Sequence, residues 1–172
     1  MTSRLLLIGG RSGVGKSTVA FALHNLLAER DVRHAVIEGD ALDLAHPEPW
    51  EHGLAGKNLA AMWANYRELG YRNLILTNTV SILEAEKLAA AMGDDPQVTA
   101  VLLEASDETT GDRMSRREQG DSLSDHIERS TRMAAFLDKK TSAEVHRVPT
   151  DGRTPEDLAT AIADLAGWRQ ED

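Results

Sequence analysis

Near its amino end the chain reads Gly10-Arg11-Ser12-Gly13-Val14-Gly15-Lys16-Ser17, a G-x-x-x-x-G-K-S pattern. Residues 4–8 before it form a short apolar run, which is typical of a buried strand. After it, Val19, Leu23 and Leu27 recur at helical spacing and predict a helix that runs up to Arg30. A strand, a glycine-rich loop and a helix therefore follow one another in the order that gives this pattern its structural meaning.

The residue types of this stretch, the P-loop pattern, suit the binding of a phosphate chain. Glycines let successive backbone N–H groups point into one concavity, and the following helix adds the partial positive charge of its amino end. Lys16 is expected to reach the β- and γ-phosphates, and the Ser17 hydroxyl is expected to bind Mg²⁺. The predicted phosphate-binding residues are Gly10, Ser12, Gly13, Val14, Gly15, Lys16, Ser17 and Thr18.

Charge and composition agree with an anion site at this end of the chain. The first carboxylate is Glu29, although the 172-residue protein has a formal charge of -9. An acidic protein of this kind is not expected to have nucleic acid or an anionic membrane as its main partner. The chain has no cysteine, and neither a signal peptide nor a membrane span is visible, so a single cytoplasmic domain is predicted.

A second candidate group follows the next predicted strand, residues 35–37. The strand ends in Glu38-Gly39-Asp40, and the carboxyl ends of neighbouring parallel strands face one crevice. Asp40 is therefore expected near the γ-phosphate, where a carboxylate can accept a hydroxyl proton or hold a metal-bound water. Asp40 could instead cap a helix that starts at Ala41. Glu38 is interpreted as structural and as a second candidate for the same role.

Residues 41–57 are predicted to be an acceptor-binding loop. Two prolines and two glycines in this region exclude a long helix, and a helix is expected only from Asn58 to Leu69. The loop contains His46, Trp50 and His52, although aromatic residues make up only 4% of the chain. Loops on a rigid scaffold often carry recognition, so we assign these side chains to the substrate.

The third predicted strand, residues 73–77, ends in the neutral residues Asn78 and Thr79. Neutral side chains can hydrogen-bond a substrate or a metal-bound water, but they supply no charge. Asp40 is thus left as the main carboxylate near the phosphates, and rapid ATP hydrolysis without an acceptor is not expected. Ser81 and Glu84 then suggest a capping box for the next helix.

Residues 107–121, after the fourth predicted strand at residues 97–103, are interpreted as a lid. Arg113, Arg116 and Arg117 would share one face of a helix, and Gly111 and Gly120 would serve as hinges. Arginines that close over a transferred phosphoryl group stabilise its charge. We expect Arg113 to lie beside the base of the nucleotide, and Arg116 and Arg117 to lie nearer its phosphates. The alternative is a solvated face whose arginines pair with Asp112 and Glu118.

The order of these elements resembles the nucleoside-monophosphate-kinase-like branch of P-loop proteins. More narrowly, the chain is similar to gluconate, shikimate and adenylylsulfate kinases and to chloramphenicol phosphotransferase. The resemblance rests on residues 10–18, 38–40 and 113–118, and on the turn at 150–153. It implies an α/β fold of three layers, α/β/α, with five parallel strands in order 2-3-1-4-5 and a mobile lid.

The same resemblance implies roles for individual residues. Asp40 would touch the acceptor hydroxyl, and Asp151, Gly152 and Arg153 would lie along the adenine. The resulting hypothesis is an Mg²⁺-dependent kinase that transfers phosphate from ATP to a hydroxyl of a small molecule. Its predicted catalytic residues are Lys16, Asp40, Arg113, Arg116 and Arg117. The alternatives are a nucleotide or nucleoside kinase and a non-catalytic protein that senses ATP.

Overall fold

The apolar run ahead of the glycine-rich loop forms the central strand of a parallel sheet. The computed structural model describes residues 2–117 and 120–168. Its strands, in chain order, are β1 (Arg4–Gly9), β2 (His34–Glu38), β3 (Asn73–Thr77), β4 (Gln97–Glu104) and β5 (His146–Pro149). All neighbouring strands pair in parallel, in the order β2-β3-β1-β4-β5. The predicted strand order is thus confirmed.

Helices cover both faces of the sheet and complete a three-layer α/β/α fold. They are α1 (Lys16–Glu29), α2 (Leu54–Glu68), α3 (Ala85–Met92), α4 (Asp107–Ser115), α5 (Asp121–Lys140) and α6 (Pro155–Ala166). Short 3-10 turns lie at Gly39–Leu42, Trp50–His52 and Ser81–Leu83. In the described ranges, no helix combines the length and the apolar character needed to cross a membrane.

Two apolar clusters hold the layers together, because alternate residues of β1 point to opposite faces of the sheet. Leu6 and Ile8 are buried with side chains of α1 and α6. Leu5 and Leu7 are buried on the other face with α2, α3 and α5, where Trp63 is fully buried. Each such side chain contributes about 1.5–3 kcal/mol on burial. Burial on both faces explains why the strands read as continuous apolar runs.

The register of the sheet brings the predicted site residues to one edge. Thr77 of β3 is opposite both Ile8 of β1 and Glu38 of β2. The segments that follow these three strands therefore leave the sheet side by side. This places the glycine-rich loop next to Asp40 and Asn78, as expected for the carboxyl edge of a parallel sheet.

The loop predicted at residues 41–57 is shorter in the structure. Helix α2 begins at Leu54, four positions before the predicted start at Asn58. Gly53 precedes it in the left-handed conformation, with φ 62°, which favours glycine and sets the start of the helix. Asn58 does not cap this helix; its side chain donates to the carbonyl oxygen of Leu42.

The capping box predicted at Ser81 is wrong. Ser81 lies in a 3-10 turn and its hydroxyl donates to the carbonyl oxygen of Asn78, at 3.2 Å, while α3 starts later, at Ala85. A capping box is present instead at the start of α6. There the Thr154 side chain accepts from the Asp157 backbone, and the Asp157 side chain accepts from the Thr154 backbone.

Candidate active site

The glycine-rich loop has the backbone conformation needed to turn its N–H groups inward. Gly10, Gly13 and Gly15 have φ angles of 146°, 81° and 103°, which side chains larger than glycine rarely adopt. A β-carbon at Gly13 would lie 2.9 Å from Met114 of α4, so this side of the loop is also closely packed. Lys16 then starts α1. The loop and the helix amino end therefore present an array of donors suited to phosphate oxygens.

The Lys16 ammonium group lies over this loop. Its Nζ donates to the carbonyl oxygens of Gly10, at 2.8 Å, and Arg11, at 3.2 Å. Burial lowers the pKa of Lys16 below its ordinary value, whereas the negative charges of Asp40 and Glu38 act in the opposite direction. The predicted phosphate-binding lysine is thus close to the carboxylate of Glu38, which ends β2, and to that of Asp40, which follows it.

Glu38, which the sequence analysis interpreted as structural and as a second candidate for the role of Asp40, contacts the predicted metal-binding hydroxyl of Ser17. Ser17 Oγ donates to Glu38 Oε2 at 3.0 Å, and the second carboxylate oxygen, Oε1, is buried without a hydrogen-bond partner. A hydroxyl and an adjacent unsatisfied carboxylate oxygen are suitable groups around a hard cation such as Mg²⁺. The position of Glu38 at the end of β2, two residues before Asp40, was the available signal.

Asp40 is held from the side by β3. Asn78 Nδ2 donates to Asp40 Oδ1 at 2.7 Å, and Asn78 Oδ1 accepts from the Val80 backbone at 3.0 Å. The neutral side chain at the end of β3 therefore orients the carboxylate. The proposed helix cap at Asp40 is not observed, because Asp40 lies inside the 3-10 turn Gly39–Leu42, which has no side-chain cap.

Gly39 allows the ends of β2 and β3 to approach each other. A β-carbon at this position would lie 2.6 Å from the Thr77 carbonyl oxygen and 3.0 Å from Asn78 Cβ. Only glycine fits such a contact without movement of the backbone. The spacing of Glu38 and Asp40 around Gly39 is thus a packing requirement of the sheet edge.

A cavity of about 800 Å³ lies beside Asp40, between the loop after β2 and the start of α2. Asp40, Asn78 and Trp50 are among its lining residues. Trp50 is 72% exposed. His46 and His52 are also exposed, but they do not line this cavity. Of the three aromatic or imidazole side chains assigned to recognition, only Trp50 is therefore brought to it.

Arg113 joins the lid region to the glycine-rich loop. Its Nη1 donates to the Val14 carbonyl oxygen at 2.8 Å and to Thr150 Oγ1 at 3.3 Å. Arg113 thus bridges the glycine-rich loop and the segment after β5. Its expected place beside the base of a bound nucleotide stays a prediction.

Arg116 and Arg117 do not belong to the helix that carries Arg113, because α4 ends at Ser115. Both lie in the following turn, and their side chains are exposed. In the described part of the chain neither side chain has a hydrogen bond or an ion pair. Residues 118–119, which belong to the predicted lid and include Glu118, lie outside the described residues.

The two glycines predicted as hinges have different positions. Gly111 is inside α4, and nothing lies within 4 Å of a β-carbon built there. Gly120 has φ 101° and immediately precedes α5. Gly120 therefore lies at a junction between helices in a conformation that favours glycine, whereas Gly111 lies within a helix, and the hinge role itself stays a prediction.

Arg11 has a structural role that the sequence did not reveal. The side chain is 5% exposed, and its guanidinium donates to Asp107 Oδ1 at 2.5 Å and to the Thr110 hydroxyl. This contact lowers the pKa of Asp107 below its usual value. On the other side, Ser130 Oγ donates to the Ser12 carbonyl oxygen at 2.8 Å. Helices α4 and α5 therefore both hold the glycine-rich loop.

The turn predicted to lie along the adenine adjoins the same helices. Asp151 Oδ2 accepts from the Ser106 backbone N–H at 3.0 Å, which holds the pKa of Asp151 below its usual value. Arg153 donates to backbone carbonyls at the end of β5 and in the first turn of α6. Gly152, with φ 69°, has open space around it. The two side chains thus stabilise the turn, and open space surrounds its backbone at Gly152.

The sheet order, the glycine-rich loop and the helices define the fold of P-loop small-molecule kinases. Among solved structures, the Deinococcus radiodurans tunicamycin resistance protein is similar, with 22% identity, a TM-score of 0.66 and 96% of each chain covered. A gluconokinase from Sinorhizobium meliloti 1021 has 18% identity and a TM-score of 0.62, over 95% of this chain and 91% of that one.

A third similar structure is the Mycobacterium tuberculosis APS kinase in complex with AMPPNP and APS. It has 20% identity and a TM-score of 0.57, and the match covers 96% of this chain and 98% of that chain. No protein-family model and no curated protein sequence matches the chain. The likeness to these structures confirms the resemblance drawn from the sequence and establishes the fold.

Proposed function

We propose that this protein is a single-domain kinase that transfers the γ-phosphoryl group of ATP to a hydroxyl of a small molecule. The observation that carries the proposal is the position of Asp40. Its carboxylate is close enough to Lys16 to affect the pKa of the ammonium group, and it also lines the 800 Å³ cavity. A general base between a phosphate site and a substrate cavity is the arrangement that phosphoryl transfer to a hydroxyl requires.

Each group then has a defined task. The loop N–H groups and Lys16 hold the phosphates of ATP, and the acceptor occupies the cavity. The acceptor oxygen forms a bond to the γ-phosphorus, its proton passes to the Asp40 carboxylate, and the bond to the leaving ADP oxygen breaks. Asn78 keeps Asp40 oriented through the 2.7 Å hydrogen bond.

Mg²⁺ is expected at Ser17, with Glu38 beside it. The buried, unpartnered Oε1 of Glu38 supports this assignment, because a buried carboxylate oxygen without a donor is costly unless it faces a cation or a water bound to one. When bound, the ion would neutralise charge on the phosphate oxygens. Ser17 and Glu38 hold each other in place through their own hydrogen bond.

The arginines of the lid complete the proposal. Arg113 is fixed beside the glycine-rich loop, and Arg116 and Arg117 project from the turn after α4. Exposed guanidinium groups in that turn are available to lie over the transferred phosphoryl group. The turn around Gly152 is assigned to the adenine. A chain without cysteine and with these substrates is assigned to the cytoplasm.

The proposal is tested by acceptor-stimulated release of ADP, with a panel of hydroxylated metabolites and nucleosides. Lys16→Ala is expected to remove turnover and weaken ATP binding. Asp40→Asn is expected to keep ATP binding, measured by calorimetry, and to reduce transfer by about 10²–10⁴-fold. Lys139→Ala and Asp164→Asn, which replace exposed residues near the carboxyl ends of α5 and α6, serve as matched controls.

Two outcomes would contradict the proposal. Full turnover by Lys16→Ala would exclude the glycine-rich loop as the phosphate site. Tight ATP binding without stimulation by any hydroxyl compound would favour a nucleotide sensor instead of a kinase.

A further inference from the structure

The cavity beside Asp40 has an uneven distribution of charge. Its ionisable lining residues are four carboxylates, Asp40, Asp43, Glu48 and Glu84, and one cation, Lys87. A cavity next to a phosphate site would need cationic side chains if its substrate carried a carboxylate, sulfate or phosphate group. Among the described lining residues, Lys87 is the only cationic side chain that could bind such a group.

That lysine is already paired. Lys87 Nζ lies 3.2 Å from Glu84 Oε1, so the two charges compensate each other. The negative charge of Asp40 likewise interacts with the positive charge of Lys16. That leaves the carboxylates of Asp43 and Glu48 to be considered. Neither makes a hydrogen bond or an ion pair with any residue in the described ranges, so two negative charges face the cavity without a compensating cation.

Large apolar side chains also line the cavity. Leu44 is 84% exposed and Trp50 is 72% exposed, and both line the cavity. Large apolar side chains that stay in solvent at the edge of a cavity are typical of a binding surface. The face of an indole ring also attracts cations. The cavity thus combines an apolar surface with uncompensated carboxylates, and both favour the same kind of ligand.

We propose that the acceptor is an amine-bearing hydroxyl compound, such as an amino sugar or an amino alcohol. Its ammonium group would face Asp43 and Glu48, its apolar part would contact Trp50 and Leu44, and its hydroxyl would reach Asp40. Anionic acceptors would be rejected. This inference rests on the proposed function only because that proposal makes the cavity the acceptor site.

The charge preference can be measured without knowledge of the acceptor, because Trp50 is a local probe. The chain has three tryptophans, and the other two, Trp63 and Trp168, are 0% and 2% exposed. Collisional quenching of fluorescence by Cs⁺ and by I⁻ therefore reports on the cavity, with Trp50→Phe as the baseline. The ratio of the Cs⁺ to the I⁻ quenching constant is compared with the ratio for free N-acetyltryptophanamide.

We expect this ratio to exceed the free value by about tenfold or more, because a cleft with charges of one sign concentrates counter-ions. In Asp43→Asn/Glu48→Gln, which keeps Asp40, the ratio should fall towards the free value. Glu156→Gln/Asp164→Asn removes two charges on α6 and should leave it unchanged. A wild-type ratio at or below the free value, or one that the first double variant does not lower, would overturn the inference.

A second experiment uses three acceptors of similar size. Glucosamine, glucose and glucuronate carry a positive, a neutral and a negative charge at neutral pH, and their kcat/KM values are compared by ADP release. Glucosamine should exceed glucuronate by about tenfold or more, and Asp43→Asn/Glu48→Gln should narrow this difference. Preference for glucuronate would overturn the inference and leave the kinase proposal intact. If none of the three is phosphorylated, the quenching ratio decides the inference alone.

Discussion

Gly39→Ala is the substitution that most directly tests how the sheet edge positions the site. The new β-carbon would lie 2.6 Å from the Thr77 carbonyl oxygen, whereas ordinary contact begins at 3.4 Å, so the two strand ends must separate by about 0.8 Å. This neighbouring atom belongs to the backbone and not to a flexible side chain. Overpacking of this kind typically costs about 1–3 kcal/mol. We therefore expect the free energy of unfolding, measured in urea, to fall by that amount.

The same movement should displace Asp40 from the phosphate site. A misplacement of about 1 Å can cost 10²-fold in rate, so kcat should fall by about that factor. ATP affinity should change little, since Gly39 is outside the glycine-rich loop. Calorimetry with ATP and acceptor-dependent ADP release separate the two effects.

Gly111→Ala is the matched control for the stability measurement. Gly111 lies inside α4 with open space around it, so alanine should stabilise the protein by about 0.5–1 kcal/mol. The two glycine-to-alanine changes are therefore expected to have opposite signs. If Gly39→Ala is as stable as the wild type and retains full turnover, the packing argument at the end of β2 is wrong.

Three further predictions concern the metal site, pH and a helix cap. Glu38→Gln should raise the Mg²⁺ concentration for half-maximal turnover by about tenfold and leave ATP binding in EDTA unchanged. The Ser106 backbone N–H depresses the pKa of Asp151 below 3.8, so the charged carboxylate stabilises the fold above that pH and this stabilisation is lost as pH falls through the lower folded value. The difference in unfolding free energy between wild type and Asp151→Asn, measured in urea, should therefore be constant above about pH 5 and shrink below about pH 4. Thr154→Ala should lose about 1 kcal/mol in the same assay, and Thr154→Ser should restore most of it.

The parts of the fold that depend on local pattern could be predicted from the sequence. The β3 strand was predicted with its observed bounds, because the middle of a strand buried on both faces, here residues 74–76, is apolar. The strand order was confirmed too, but it came from the resemblance to known kinases and not from the residues themselves.

Features that depend on backbone conformation at one residue were not predictable in the same way. The start of α2 depends on the left-handed Gly53, and glycine in a loop equally permits many other conformations. The hydroxyl of Ser81 had two possible uses, a cap or a bond to the preceding turn, and the structure has the second. Local sequence does not decide between such competing hydrogen bonds.

Contacts between distant parts of the chain were also missed. Arg11 was treated as a variable position of the loop pattern, although its partner is Asp107, 96 residues later. Glu38 was interpreted as structural and as a second candidate for the role of Asp40. Its contact with Ser17 could not be predicted, because it depends on how β2 lies relative to α1. In both cases the residue type was visible, but its partner was set by the tertiary fold.

The attachment of Arg11 and Ser12 to two later helices has a consequence for the use of the glycine-rich loop outside this protein. Residues that follow β4 fix the curvature of a loop encoded near the amino end. A peptide with only the amino-terminal strand, loop and helix would contain the sequence motif but would lack the contacts with α4 and α5. Binding of a ligand would then cost the full conformational entropy of ordering the loop. We therefore expect the isolated motif to bind a phosphate ligand more weakly than the whole domain does.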